Sequence, residues 1–308
     1  MPPLIVVVGS SNTDMVIKAD HLPAPGETIL GGTFFTNPGG KGANQAVSAA
    51  RLGGNVMFIA KTGDDIFGKK SFELFKQEGI DTSYIIADPG NVSGVALITV
   101  DKTGENCIVV APGANAALTP ADVQIAKEKI EKAAILLIQL EIPIETVQYV
   151  VTTAASKKIT VVLNPAPFCP LSDDLLRNIS IITPNKTEAE MLTGIKINND
   201  DDAKQAAQYL YNKGIPTVII TMGSRGALVF HKTEFTFINA RPVKAVDTTA
   251  AGDIFNGALA VALAEGSNMI EAVNFACNAA SVSVTRIGAQ SSAPYKNEMI
   301  DKLIKEIS

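Results

Sequence analysis

Ile5-Val6-Val7-Val8-Gly9-Ser10-Ser11-Asn12-Thr13-Asp14 begins with four β-branched residues and stops at a glycine and a polar tail. An uninterrupted apolar strand leaves no face for water, which marks a parallel sheet covered on both sides. Val56–Ile59, Ile135–Ile138, Thr160–Leu163, Ser180–Ile182 and Thr217–Thr221 repeat the pattern. Between and beyond these runs, helical periodicity predicts helices over Ala43–Leu52, Phe67–Glu78, Pro120–Lys132, Ile144–Ser156, Thr187–Leu192, Ala203–Asn212, Gly252–Glu265 and Met269–Thr285. The alternation predicts an α/β fold with a doubly wound, mainly parallel central sheet and helices on both faces. In such folds ligands bind beyond the carboxyl ends of the strands, where the polar tail Ser10–Asp14 falls.

Two stretches break the rhythm. Leu22-Pro23-Ala24-Pro25-Gly26-Glu27-Thr28 is a turn signal between extended runs. Val95–Val100 and Asn106–Val110 flank Asp101-Lys102-Thr103-Gly104 and read as a hairpin. We therefore expect residues 1–12, 38–91 and 111–308 to form a large α/β domain that binds ligand at its strand ends. Residues 13–37 and 92–110 would form a small β-sheet lid over the strand ends. A small sheet with one apolar face needs cover, which a second subunit could supply.

The chain has 308 residues, enough for a sizeable core at 46% hydrophobic content, and its net charge is −5. Acidic balance without a Lys/Arg cluster argues against nucleic acid as a partner. No apolar run approaches transmembrane length, and the first residues do not read as a secretory signal. Cys107, Cys169 and Cys277 offer no pairing, and His21 and His231 complete no zinc-ligand spacing. A cytoplasmic protein with reduced thiols is expected.

Asp247-Thr248-Thr249-Ala250-Ala251-Gly252-Asp253 leads into the helical pattern from Ile254. A helix start presents unpaired N–H groups and the positive end of the macrodipole, so it can hold an anion. An acid there repels a phosphate unless it takes a proton from an attacking hydroxyl. Asp253 equally reads as an ordinary first-turn charge.

In Pro38-Gly39-Gly40-Lys41-Gly42-Ala43-Asn44-Gln45, glycines permit positive φ and close approach before a helix. Asn44 can bond vicinal hydroxyls and Lys41 supplies charge, although a glycine turn before a core helix needs neither. Asp14 could accept from two hydroxyls or serve a turn. Met222-Gly223-Ser224-Arg225-Gly226, after the strand ending at Thr221, could wrap phosphates with backbone N–H groups or simply turn the chain. Asn185 and Glu188 could order water around a phosphate-bound Mg²⁺, or form a capping box. Glu141 ends an apolar run, as a site acid or an exit charge.

Taken together, these motifs resemble the ribokinase family of carbohydrate kinases, in the family's order and over essentially the whole chain. The resemblance rests on Asn12-Thr13-Asp14, Gly39 to Gln45, Asn185-x-x-Glu188, Gly223-Ser224-Arg225-Gly226 and Asp247 to Asp253. It implies ATP-dependent phosphorylation of a primary hydroxyl, O5 of D-ribose. Asp253 would be the general base and Ala250, Ala251, Gly252 and Asp253 the anion hole. Asn12, Thr13, Asp14, Gly40, Lys41, Gly42, Ala43, Asn44 and Glu141 would hold the sugar. Asn185, Glu188, Thr221, Met222, Gly223, Ser224, Arg225, Gly226, Gly252 and a segment around Cys277 and Asn278 would hold ATP. Mg²⁺ would accompany ATP. K⁺ as activator would fall at Asp247, Thr249, Ser283, Arg286, Gly288 and Ser292. A homodimer through the lid is expected, with no membrane partner. One departure is Ala250, where many members carry glycine. The residues leave open a same-fold kinase for another sugar or a nucleoside, and a non-catalytic sugar or nucleotide sensor. A nucleoside usually needs an aromatic shelf, and the chain is 6% aromatic without Trp.

Overall fold

The computed structural model describes residues 2–299; Met1 and 300–308, at the ends of the large domain expected from sequence, lie outside them. The chain begins β1 (Leu4–Val8), β2 (Asn12–Lys18), β3 (Thr33–Gly39), α1 (Lys41–Arg51), β4 (Asn55–Gly63), α2 (Ile66–Gln77) and β5 (Asp81–Asp88). It continues β6 (Gly94–Val100), β7 (Asn106–Ala111), α3 (Pro120–Gln124), α4 (Lys127–Ile130), β8 (Ile135–Ile138), α5 (Ile144–Ser156) and β9 (Thr160–Leu163). Then follow α6 (Asp173–Leu176), β10 (Ile181–Ile182), α7 (Lys186–Thr193), α8 (Asp200–Asn212) and β11 (Thr217–Thr221). The hairpin β12 (Ala227–His231) and β13 (Glu234–Ile238) precedes α9 (Ala251–Ala264) and α10 (Met269–Ser283).

Nine strands form the main sheet in the order β13-β12-β11-β10-β9-β8-β1-β4-β5, parallel from β11 through β5 and antiparallel only at the β12–β13 edge. All six apolar runs are strands of this sheet. The chain steps from β1 to β4 and β5 on one side, and from β8 through β11 on the other. The winding therefore reverses between β1 and β8, and a crevice opens at their carboxyl ends.

Alternation along the central strands feeds two cores. Ile5 and Val7 of β1, with Ile135 and Leu137 of β8, pack with α1, α9 and α10. Val6, Val8, Leu136 and Ile138 pack on the opposite face with α5 and α8. Each central residue is thus buried whichever way it points, which is why these runs contain no polar alternation.

Periodicity predicts one helix over Pro120–Lys132; the structure divides it at Ile125–Ala126 into α3 and α4. Val123, Ala126 and Ile130 stay buried across the break, so the apolar face that produced the pattern is kept. β5 and β13 have no counterpart among the predicted strands, because both lie at sheet edges and carry little continuous apolar sequence.

The second sheet has four strands in the order β3-β2-β6-β7. β2 and β6 are parallel, and the outer pairs are antiparallel. Asp14, Val16 and Lys18 of β2 face a cavity of about 930 Å³, whose far wall is Val246, Asp247, Thr249 and Gly288 of the main body. Ile17 alternates to the outer face, where it pairs with Phe34 of β3.

Candidate active site

The reversal between β1 and β8 is joined by side chains. Ser10, just past β1, donates its Oγ to Glu141 Oε2 at 2.5 Å, and the Lys41 N–H donates to the same oxygen at 3.0 Å. Gly40, the N-cap of α1, has no side chain to cap it. Glu141 takes that place, putting a negative charge at the positive end of the helix. Gly40 sits at φ 88, and a Cβ on Gly42 would lie 2.6 Å from the backbone of Gly9 and Ser10. These glycines seat α1 against the end of β1. Gly42 and Ala43 are buried there.

α1 and α9 bring together the residues around Asp253. Asn44 Nδ2 donates to Asp253 Oδ2 at 2.9 Å, and Gln45 Nε2 donates to Oδ1 at 2.9 Å. Burial pushes the Asp253 carboxyl above its ordinary range; Lys41 and the two amide donors oppose that shift, while Glu141 adds to it. A buried carboxylate kept from easy ionisation is disposed to take a proton. Burial works against charge on Lys41, but Asp253, Glu141 and Glu188 outweigh it and raise its pKa. Burial, then Glu141 and Asp253, raises Asp14 to about 6. Asn44 Oδ1 is buried without a hydrogen-bond partner among the described residues.

The N-terminus of α9 differs from expectation in one respect. Ala250 is the N-cap, in the left-handed conformation at φ 58, and the Ala251 N–H donates to the Thr248 carbonyl at 3.3 Å. The Ala251 N–H is thus engaged within the turn, while those of Gly252 and Asp253 stand at the helix start. Space beside Gly252 is open, with no atom within 4 Å of a Cβ built there. A polar cavity of about 180 Å³ lies at this helix start, walled by Lys41, Asn185, Glu188, Gly252 and Asp253. Asn185 and Glu188 form the capping box of α7, with reciprocal bonds of 2.8 Å, and line the cavity as well.

A third cavity of about 480 Å³ shares Thr221, Thr248, Ala251 and Gly252 with the polar one. Gly223, Ser224, Gly226, Val243, Phe255 and Cys277 also line it. Met222 packs into the core instead, and Arg225 pairs with Asp200. Asn278 does not line this cavity, whereas Cys277 does; burial pushes its thiol up to about 12, so it stays neutral. Asn12 is buried, with its Oδ1 accepting from Asn115 Nδ2 at 2.7 Å. Thr13 alternates away from the face of Asp14 that lines the large cavity.

Among the residues expected at a monovalent cation, Asp247 accepts from the Thr249 N–H and the Gly288 N–H, each at 2.9 Å. Burial raises its pKa, but the bonds from Thr249 and Gly288 outweigh this and hold it below the ordinary range. The hydroxyls of Ser283 and Ser292 donate to Ala280 and Ala289 carbonyls, and Arg286 pairs with Glu298. Hydroxyl and carbonyl oxygens beside one ionised carboxylate suit a weakly charged cation. Among the described residues, no group of three or more His, Cys, Asp or Glu has metal-binding geometry.

Sequence reasoning quoted Gln45 within its motif without giving it a role, and did not single out Gln139, Asn115 or Asn164. All four are buried amides inside otherwise apolar or small-residue stretches. That polarity in a core position was the available signal.

An anion-binding helix start, a buried acid and cavities on either side define a phosphotransferase of the doubly wound class. Residues 2–296 match the model of the pfkB family carbohydrate kinases. The chain belongs to this family and is a carbohydrate kinase. It is 46% identical to a ribokinase of Haemophilus influenzae over 97% of this chain and 98% of that one. It is 42% identical to a ribokinase of Bacillus subtilis, covering 97% and 99%. The structure of Arabidopsis thaliana ribokinase complexed with ribose and ATP superposes with a TM-score of 0.92 at 33% identity, covering 98% of each chain.

Proposed function

We propose that this chain transfers the γ-phosphoryl group of ATP to O5 of D-ribose, giving D-ribose 5-phosphate and ADP. The observation that carries this reading is the Asp253 carboxylate, buried between two amide donors at the mouth of an anion-binding helix. Asp14, on the wall of the large cavity, accepts sugar hydroxyls, and the unpartnered Asn44 Oδ1 accepts another. The nucleotide occupies the cavity beyond Thr221, with its γ-phosphate toward Gly252.

Asp253 takes the proton of the O5 hydroxyl as the O5–P bond forms and the bond to the ADP oxygen breaks. The N–H groups of Gly252 and Asp253, with the Lys41 ammonium, stabilise charge on the transferred group. Glu188 and Asn185 suit the water shell of Mg²⁺, which when bound with ATP neutralises phosphate charge. Asp247, Thr249, Ser283, Gly288 and Ser292 fit K⁺, which when bound would brace the loop behind the helix start. Residues 13–37 and 92–110 form the lid, closing over the sugar to exclude water. A second copy covers its outer face, and the protein is cytoplasmic.

Phe35 is the sole aromatic among the described residues lining the large cavity, which offers little shelf for a nucleobase. The test is ADP release with MgATP across D-ribose, 2-deoxyribose, fructose and adenosine, with and without K⁺. Ribose-dependent turnover raised by K⁺ is expected. Preference for another acceptor would move the substrate assignment. Silence on every acceptor, with ATP still bound, would make the protein a sensor.

A further inference from the structure

Asp253 has a second layer of support that its role as base does not explain. Gln45 Nε2 reaches Asp253 Oδ1 at 2.9 Å and Asn164 Oδ1 at 3.1 Å. Gln139 Nε2 donates to Gln45 Oε1 at 2.6 Å, and Asn164 Nδ2 donates to the Thr183 carbonyl at 3.2 Å. Gln45 and Gln139 are fully buried. They belong to different elements: Gln45 to α1, Gln139 to the end of β8, Asn164 to the end of β9 and Asp253 to α9.

The chain of amides has one direction. The carboxylate accepts, so Gln45 must present its N–H₂ to Asp253. Its oxygen then faces Gln139, which must present N–H₂ in turn. That leaves Gln139 Oε1 buried without a partner among the described residues. An unmade buried hydrogen bond costs about 1–3 kcal/mol. A methionine would fill the same space without that cost, so packing gives no reason for a glutamine at 139. The orientation of Gln45 does.

We infer that Gln45, clamped by Gln139, is a positioning residue for the phosphoryl-transfer reaction. With Asn44 on Oδ2 and Gln45 on Oδ1, the plane of the Asp253 carboxylate is fixed, and its remaining lone pairs are held at the orientation that meets the acceptor hydroxyl. Neither glutamine touches substrate. The inference rests on Asp253 being the base. The charged groups around Asp253 are Lys41 of α1, Glu141 beyond β8, Asp14 of β2 and Glu188 of α7. None of them belongs to the amide chain, so altering it leaves their charges in place.

The experiment is the pH profile of kcat and kcat/KM for D-ribose in Gln45→Met, Gln139→Met, the double variant and Asp253→Asn. Met keeps the volume of Gln. Loss of one hydrogen bond to the carboxylate should move the acid limb of Gln45→Met upward by about one pH unit and lower kcat roughly tenfold at neutral pH. The ribose KM should stay within about threefold, since sugar contacts are untouched. Gln139→Met should move the same limb the same way by less. The double variant should match Gln45→Met alone, because Gln139 acts only through Gln45. Additive losses with an unmoved acid limb would mean the pair is structural and would overturn the inference. Gln139→Met decides the question if Gln45→Met does not fold. Asp253→Asn separates the two readings: it should lower kcat about 10²–10⁴-fold. Retained activity there would remove the base itself, while a dead Asp253→Asn beside unmoved glutamine profiles would remove only the positioning role.

Discussion

Asp14 and Asp253 are both acids raised by burial, yet they are put to different uses. Asp253 has two amide donors, while Asp14 sits on a cavity wall and titrates at about 6. A raised pKa means the folded protein holds the proton more tightly than the unfolded chain. The penalty from ionised Asp14 is therefore absent below its ordinary value of 3.8, grows between there and about 6, and is complete above. Asp14→Asn should raise Tm at pH 8 by about 1.5–3 °C, for roughly 1–2 kcal/mol, with the gain vanishing near pH 4. The same substitution should raise the ribose KM at least about tenfold, because a carboxylate can accept two hydroxyls. In the wild type the ribose KM should climb as pH falls below about 6. Calorimetry and steady-state kinetics over pH 4–8 check both, and an unchanged Tm at pH 8 would remove the penalty. Asp253 and Lys41 could be singled out in sequence because glycine-rich helix starts flag them. The Ser10–Glu141 bond could not, since its partners are 131 residues apart and meet only through sheet order. The Arg225–Asp200 pair could not be read either, since its partners lie 25 residues apart on separate elements.

At the scale of elements, the start of α9 is strained. Ala250 holds φ 58 as N-cap, where a Cβ crowds the backbone. Left-handed backbone costs a non-glycine residue about 1 kcal/mol or more. Ala250→Gly should raise Tm by about 1–3 °C, part of the gain being lost to the freer unfolded chain. Ala250→Val should lower Tm by more than that, since a branched side chain tolerates the conformation worst. Scanning calorimetry decides, and a stabilised valine variant would refute the strain. The helix itself was legible as a small-residue run entering an apolar pattern. Its cap conformation was legible only through the family resemblance, where glycine often stands at the position of Ala250; alanine by itself does not call for positive φ. The unpredicted β5 and β13 show the complementary limit: edge strands lack the two-sided burial that makes an apolar run visible.

Over the whole molecule, the outer face of the small sheet stands out as an exposed apolar surface. Ile17, Phe34, Leu97 and Val109 are 45%, 61%, 56% and 68% exposed. Ile17 sits opposite Phe34 and Leu97 opposite Val109, so they form one stripe. A stripe of this kind calls for a partner. Leu97→Glu should convert a dimer to a monomer in light scattering, whereas a wild type already monomeric at micromolar concentration would refute the interface. The doubly wound core could be read from the six apolar runs, but the strand order could not, because neighbours such as β1 and β8 are distant in the chain.

That order has a consequence for biosynthesis. β1 lies mid-sheet between β4 and β8, and although β4 follows it closely in synthesis, β8 comes some 130 residues later. The helix α9 that covers one of its faces follows later still. Translation proceeds at about 5–20 residues per second, so the apolar segment Leu4–Val8 waits several seconds for its neighbours. β1 is thus made well before the strand and helix that complete its burial, and a nascent chain leaves this apolar segment partly uncovered until β8 and α9 emerge.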